Sequence, residues 1–199
     1  MSIFSYKLTL MSCTSCLQNG ISFPMPTVAL MNGHAFAGGL MLATAHDYRL
    51  APSPKGFLCV NELVFGAPLK PPMAALFRTK YPAATFRTMV LEAHRFDAKA
   101  ALEAGIVDGI ASDESPEGGK WGDALRFIEA RGLVDKGKSG VYGVLKAEMY
   151  KDLIAMLASP GLDAEEARFE ATQTSLGERQ EFGRVWVEQW KKDQSKAKL

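Results

Sequence analysis

The chain has 199 residues and is short of several things, and each shortage removes an explanation. Cysteines number only three, Cys13, Cys16 and Cys59. Cys13 and Cys16 have the two-residue gap of a redox or zinc motif, but no second pair and no nearby histidine completes a metal set. The odd count, with no charged n-region before a compact apolar core, reads as reduced, intracellular thiols. Charge of one sign is also missing. A formal net charge of +1 favours neither nucleic acid nor an anionic membrane surface. Long apolar runs are absent. From Met1 to Leu30 the only charged residue is Lys7, but serines, threonines, Asn19, Pro24 and Pro26 interrupt the stretch. No membrane span is predicted there. Internal repeats and low-complexity tracts are absent too.

Nucleotide loops fail as well. Gly33 to Gly38 has glycines at the first and sixth positions but alanine at the third, and no Gly-Lys-Ser/Thr follows. His34 and His46 lack the neighbouring nucleophile and orienting acid of a hydrolytic triad.

What remains is an ordinary globular balance, 47% hydrophobic and 23% charged, enough for one sizeable core. Pro24 and Pro26 exclude a helix through that segment. Thr27–Met31 reads as a short buried strand, Gly38–Ala45 as a helix of small residues, Tyr48–Ala51 and Phe57–Val60 as further strands. Helices are predicted from Pro71 or Pro72 to Lys80, over Ala83–Glu92, and from an Asp97 cap to Glu103, with Gly105 as the stop. Ile106–Ile110 reads as a strand or extended link. Trp121–Ala130 and Val141–Leu157 carry apolar residues at helix spacing. Asp163 with Glu166 reads as the capping box of a last helix running to about Lys192. Trp186 and Trp190, four apart, share a face that suits a core or subunit contact.

The glycines of TVALMNGHAFAGGLMLATAHDYRL admit two physical readings. Small residues can let a turn and helix pack closely under a sheet. Alternatively, Gly38 opens a helix, so its N–H lacks an intrahelical partner and suits negative charge developing on a carbonyl oxygen. The second reading needs a base on a facing element. Glu62 is the candidate: a lone acid in the apolar stretch CVNELVFG, where burial raises a carboxylate's pKa toward a useful range.

At these residues the sequence resembles the enoyl-CoA hydratase/isomerase, or crotonase, superfamily. PTVALMNGHAFAGGLMLATAHDYRLA is similar to the family's signature. Phe96–Asp108 (FDAKAALEAGIVD) resembles its following helix and link, and with the Glu62 segment the resemblance covers Pro24 to Ile110. It implies an α/β fold, a crotonase-like spiral of beta-beta-alpha turns followed by a helical C-terminal region. The corresponding division is an atypical segment 1–23, a spiral core 24–120 and a helical region 121–199. Members carry more chain before the PTVA-like strand, including the first oxyanion donor, so the spiral is expected to be N-terminally incomplete.

The resemblance also implies an acyl-CoA thioester substrate, with coenzyme A as part of it and no separate cofactor or metal. Gly38 matches the second oxyanion donor. Of the two hydratase glutamates, the second matches Glu62, whereas Met41 stands at the first, and methionine cannot orient water. Glu62 alone resembles the 3,2-enoyl-CoA isomerases. The implied substrate contacts are Gly39, Met41, Asn61, Leu63 and Phe65, with Leu63, Phe65 and Met41 keeping water from Glu62. Lys80, His94 and Arg95 are candidates for the coenzyme A phosphates, and Asp47 and Arg49 for structural pairs. Ala197-Lys198-Leu199 resembles a peroxisomal address read by an import receptor, with a cytoplasmic location as the alternative. A homo-oligomer, trimer or hexamer, follows from the family. Other readings stay open: a hydratase or hydrolase on the same fold, or an inactive partner in a crotonase-like oligomer.

Overall fold

The computed structural model describes residues 15–158 and 161–196. A first helix, α1, spans 15–22 and turns Leu17 and Ile21 fully inward. The atypical segment 1–23 therefore contributes to the core over its described part. The prolines then release the chain into strand β1 (Val28–Leu30).

Two turns of strand, strand and helix follow. The first is β1, β2 (Ala35–Phe36) and α2 (Gly38–Ala45). The second is β3 (Tyr48–Ser53), β4 (Leu58–Cys59), a 3₁₀ turn (Glu62–Phe65) and α3 (Pro71–Lys80). Helices α4 (Ala83–Leu91) and α5 (Ala98–Glu103) lead to β5 (Gly109–Ser112), the start of a third turn. First strands stack in parallel in the order β1-β3-β5, and second strands β2 and β4 pair in parallel in a smaller sheet. Each turn thus advances the chain by one strand spacing. The register sets Val28 beside Tyr48, Leu50 beside Gly109 and Phe36 beside Cys59. This is the spiral that the resemblance implied.

Strands this short have few ladder bonds and rely on side-chain anchors. Asp47 Oδ2 accepts from the Thr27 N–H at 2.9 Å and from Lys146 Nζ at 2.8 Å. Arg49 pairs with Asp108 at 3.2 Å and donates Nε–H to the Ile106 carbonyl at 2.8 Å. Both residues are structural, as expected. One cluster of buried residues runs from Leu17 through Leu40, Leu58, Phe77 and Met89 to Leu157.

The C-terminal helices are α6 (Gly119–Ala130), α7 (Leu133–Lys138), α8 (Tyr142–Met149), α9 (Lys151–Leu157) and α10 (Gly161–Lys196). Three boundaries differ from expectation. The strand expected at Ile106–Ile110 begins at Gly109, because Ile106 and Asp108 are held by Arg49. The helix expected over Val141–Leu157 breaks at Tyr150, whose hydroxyl meets Lys80 Nζ at 2.8 Å. Asp163 lies inside the first turn of α10 rather than at its cap. Trp186 and Trp190 are exposed in the single chain, so they are not core residues. Cys13 and the tripeptide Ala197-Lys198-Leu199 lie outside the described residues.

Candidate active site

The site is built where the small sheet ends. Strand β2 stops at Phe36, Ala37 turns the chain, and Gly38 opens α2. Beside it, β4 stops at Cys59, and Val60 and Asn61 lead into the turn that carries Glu62. One hydrogen bond ties the two exits together: the Ala37 N–H donates to the Cys59 carbonyl at 3.0 Å. The parallel register therefore brings the start of α2 and the Glu62 turn to the same end of the sheet.

The Ala37 carbonyl accepts from the Met41 N–H at 3.0 Å, so it points along the helix. In a trans peptide the N–H lies opposite the carbonyl. The Gly38 N–H must then point out of the helix end, where it makes no hydrogen bond among the described residues. The close-packing reading of the glycines fails here. Gly38 and Gly39 are exposed, and a Cβ built on either meets nothing within 4 Å.

Glu62 is half-buried, and its Oε2 is buried without a hydrogen-bond partner among the described residues. Burial pushes its carboxyl above the usual range, while its own backbone N–H pulls the other way. Asn61 Oδ1, on the preceding residue, is a second buried acceptor without a partner. Gly66, left-handed at φ 68°, closes the turn. Arg95 stands with its guanidinium 5.7 Å from the centre of the Phe36 ring. The Cys59 thiol is pushed up by burial, pulled down by Arg95 and raised again by Glu62, so both charged groups act on the same strand end.

The expected substrate contacts divide. Met41 is 2% exposed and belongs to the core beneath the site. Leu63 and Phe65 are 57% and 61% exposed, so within this chain they do not wall water away from Glu62. The reason is the 3₁₀ turn, which directs its apolar residues outward instead of alternating them as a strand would. Lys80, a phosphate candidate, is committed elsewhere. Its Nζ reaches the His46 carbonyl at 3.2 Å and lies 4.0 Å from the Tyr150 ring centre. Burial, Arg49 and Lys146 push it down to about 7. His94 packs its ring edge-on to Phe96, 4.6 Å between centres. Sequence reasoning missed the roles of Ala37 and Cys59, because a strand end and a turn alanine carry no distinctive residue pattern.

Among the described residues there is no group of three metal-ligating side chains, and no helix is long and apolar enough to cross a membrane.

Comparison with known proteins agrees with this fold. The family model described as enoyl-CoA hydratase/isomerase matches residues 5–193, a longer stretch than the Pro24–Ile110 resemblance and one that includes most of segment 1–23. Enoyl-CoA delta isomerase 2, peroxisomal, of Arabidopsis thaliana is 34% identical over 139 residues, 69% of this chain and 56% of that protein. A probable enoyl-CoA hydratase of Mycobacterium tuberculosis, EchA17, is 30% identical over 131 residues, 64% of this chain and 50% of that protein. The chain thus spans about half the length of these relatives. A solved enoyl-CoA hydratase/isomerase family protein from Pseudomonas syringae superposes with a TM-score of 0.71 at 22% identity, covering 83% of this chain and 69% of that one. The chain belongs to the enoyl-CoA hydratase/isomerase family.

Proposed function

We propose that this chain carries the proton-transfer site of a 3,2-enoyl-CoA isomerase. Glu62 removes a proton from C2 of a 3-enoyl-CoA thioester. The electrons move onto the thioester oxygen, which the Gly38 N–H meets as an enolate. Glu62 then returns the proton at C4, and the double bond comes to rest between C2 and C3. The substrate loses and gains one proton, and no water is consumed. A carboxyl raised by burial suits both halves, since it must accept and then release the same proton.

The observation that carries this reading is a half-buried Glu62 whose Oε2 has no hydrogen-bond partner among the described residues, together with a buried Met41 on α2. Methionine stands where the resemblance puts a hydratase's other acid. Gly39, Asn61, Leu63 and Phe65 are proposed as substrate contacts, the last two as an exposed apolar surface for the acyl chain. The peroxisomal names of two Arabidopsis thaliana relatives support a peroxisomal location, reached through Ala197-Lys198-Leu199 and an import receptor. A homo-oligomer, trimer or hexamer, is proposed on family resemblance.

A hydratase reading draws on Asn61. Two buried acceptors on adjacent residues, Asn61 Oδ1 and Glu62 Oε2, could each take one proton of a water. Product analysis separates the readings. The isomerase converts 3-hexenoyl-CoA to the conjugated 2-enoyl thioester and leaves crotonyl-CoA unhydrated. Formation of 3-hydroxybutyryl-CoA from crotonyl-CoA would favour the hydratase.

A further inference from the structure

We infer that Ala37 is a positioning residue: its backbone is clamped in a conformation that aims the Gly38 N–H into the site. This rests on the reading of Gly38 as the enolate donor.

Ala37 has φ 46° and ψ −119°. An ordinary N-cap is extended; this combination is one that glycine adopts freely and an L-residue adopts under strain. Among the described residues only Ala37 and Ala93 are non-glycines with positive φ. Both hydrogen-bond to Cys59. The Ala37 N–H donates to the Cys59 carbonyl at 3.0 Å, and the Ala93 carbonyl accepts from Cys59 Sγ at 3.3 Å. Two residues with left-handed φ therefore grip one strand residue, three positions before Glu62. Strain persists only where the surroundings over-determine it, and it gathers at working sites.

The surroundings here are identifiable. With β2 ending at Phe36 and α2 starting at Gly38, one residue must carry the whole change from strand to helix. Its N–H is fixed by Cys59 and its carbonyl by the Met41 N–H. The 37–38 peptide plane has no freedom left, and its other end is the Gly38 N–H. Glycine at 37 would meet these angles without steric cost but would open the neighbouring conformations. The alanine methyl narrows them.

The test compares Ala37→Gly and Ala37→Ser with the wild-type chain, by 3-enoyl-CoA isomerisation and thermal unfolding. Ala37→Gly is expected to unfold no earlier than wild type, yet to lose about tenfold in kcat with KM unchanged, because the donor is less well fixed. Ala37→Ser keeps the Cβ and is expected to keep kcat. A merely structural residue would move the unfolding temperature and not this kcat-to-KM split. An Ala37→Gly chain with wild-type kcat overturns the inference and leaves the Gly38 reading standing. A folded wild-type chain with no isomerisation overturns that reading, and the inference with it.

Discussion

At the scale of single residues, Glu62 is held against the preference of its own charge. Burial raises its pKa, so the folded state favours the neutral carboxyl. Below the unfolded pKa both states are protonated and Glu62 costs nothing. As pH rises through the folded value, the native chain must bury a charge that the unfolded chain exposes, and stability falls. Glu62→Gln removes that cost. Its unfolding temperature is expected to match wild type near pH 4 and to exceed it at pH 7.5, measured by calorimetry. A Glu62→Gln chain less stable than wild type at pH 7.5 would mean that the carboxylate is a structural partner rather than a poised base. Glu62 and Gly38 were legible in the sequence, because a lone acid in an apolar stretch and a glycine at a helix start both break local pattern. The strain at Ala37 was not. It follows from how β2 and β4 abut, and an alanine looks the same in any turn.

Among elements, the buried joint between α2, α3 and α9 is the part the sequence disclosed least. The sequence offers Lys80, at a helix end, as a candidate for the coenzyme A phosphates, and only the folded arrangement sets it between the His46 carbonyl and Tyr150. The strands and the helices through Glu103 were legible because prolines, glycines and the Asp97 cap mark their ends; Asp97 accepts from the Ala100 N–H at 2.8 Å. The break at Tyr150 and the late start of β5 come from long-range partners, which local periodicity does not encode. The joint has a pH signature. With Lys80 pushed down to about 7, the unfolded chain holds a proton that the folded chain lacks from there up to the usual lysine range. Stability contributed by this group therefore rises with pH across that window. Between pH 7 and 9.5 wild type is expected to gain on the order of 2 kcal/mol relative to Lys80→Met, read from urea midpoints. Parallel pH profiles would show that Lys80 keeps its proton in the folded state.

The whole molecule is uneven in how it covers itself. Helix α10 has 36 residues, roughly 54 Å at the usual rise. Lys70 anchors its beginning, 5.5 Å from the Phe169 ring centre and 3.8 Å from Glu170. From 171 to 192 every residue is exposed, including Leu176, Phe182, Trp186 and Trp190. A helix of this composition gains most of its stability by covering an apolar face. The proposed homo-oligomer supplies such a cover. Sedimentation equilibrium is expected to show an assembly larger than one chain, shifted toward monomer by Trp186→Ala with Trp190→Ala. A wild-type monomer at micromolar concentration would rule this contact out.

The proposed reaction rests on one carboxylate moving one proton. Its most direct test follows the ultraviolet absorbance of the conjugated thioester as the purified chain acts on 3-hexenoyl-CoA, with Glu62→Gln alongside. Wild type is expected to convert the substrate, and Glu62→Gln to lose about a hundredfold or more in rate. Equal rates in the two proteins, or no conversion by a wild-type chain shown to be folded, would contradict it.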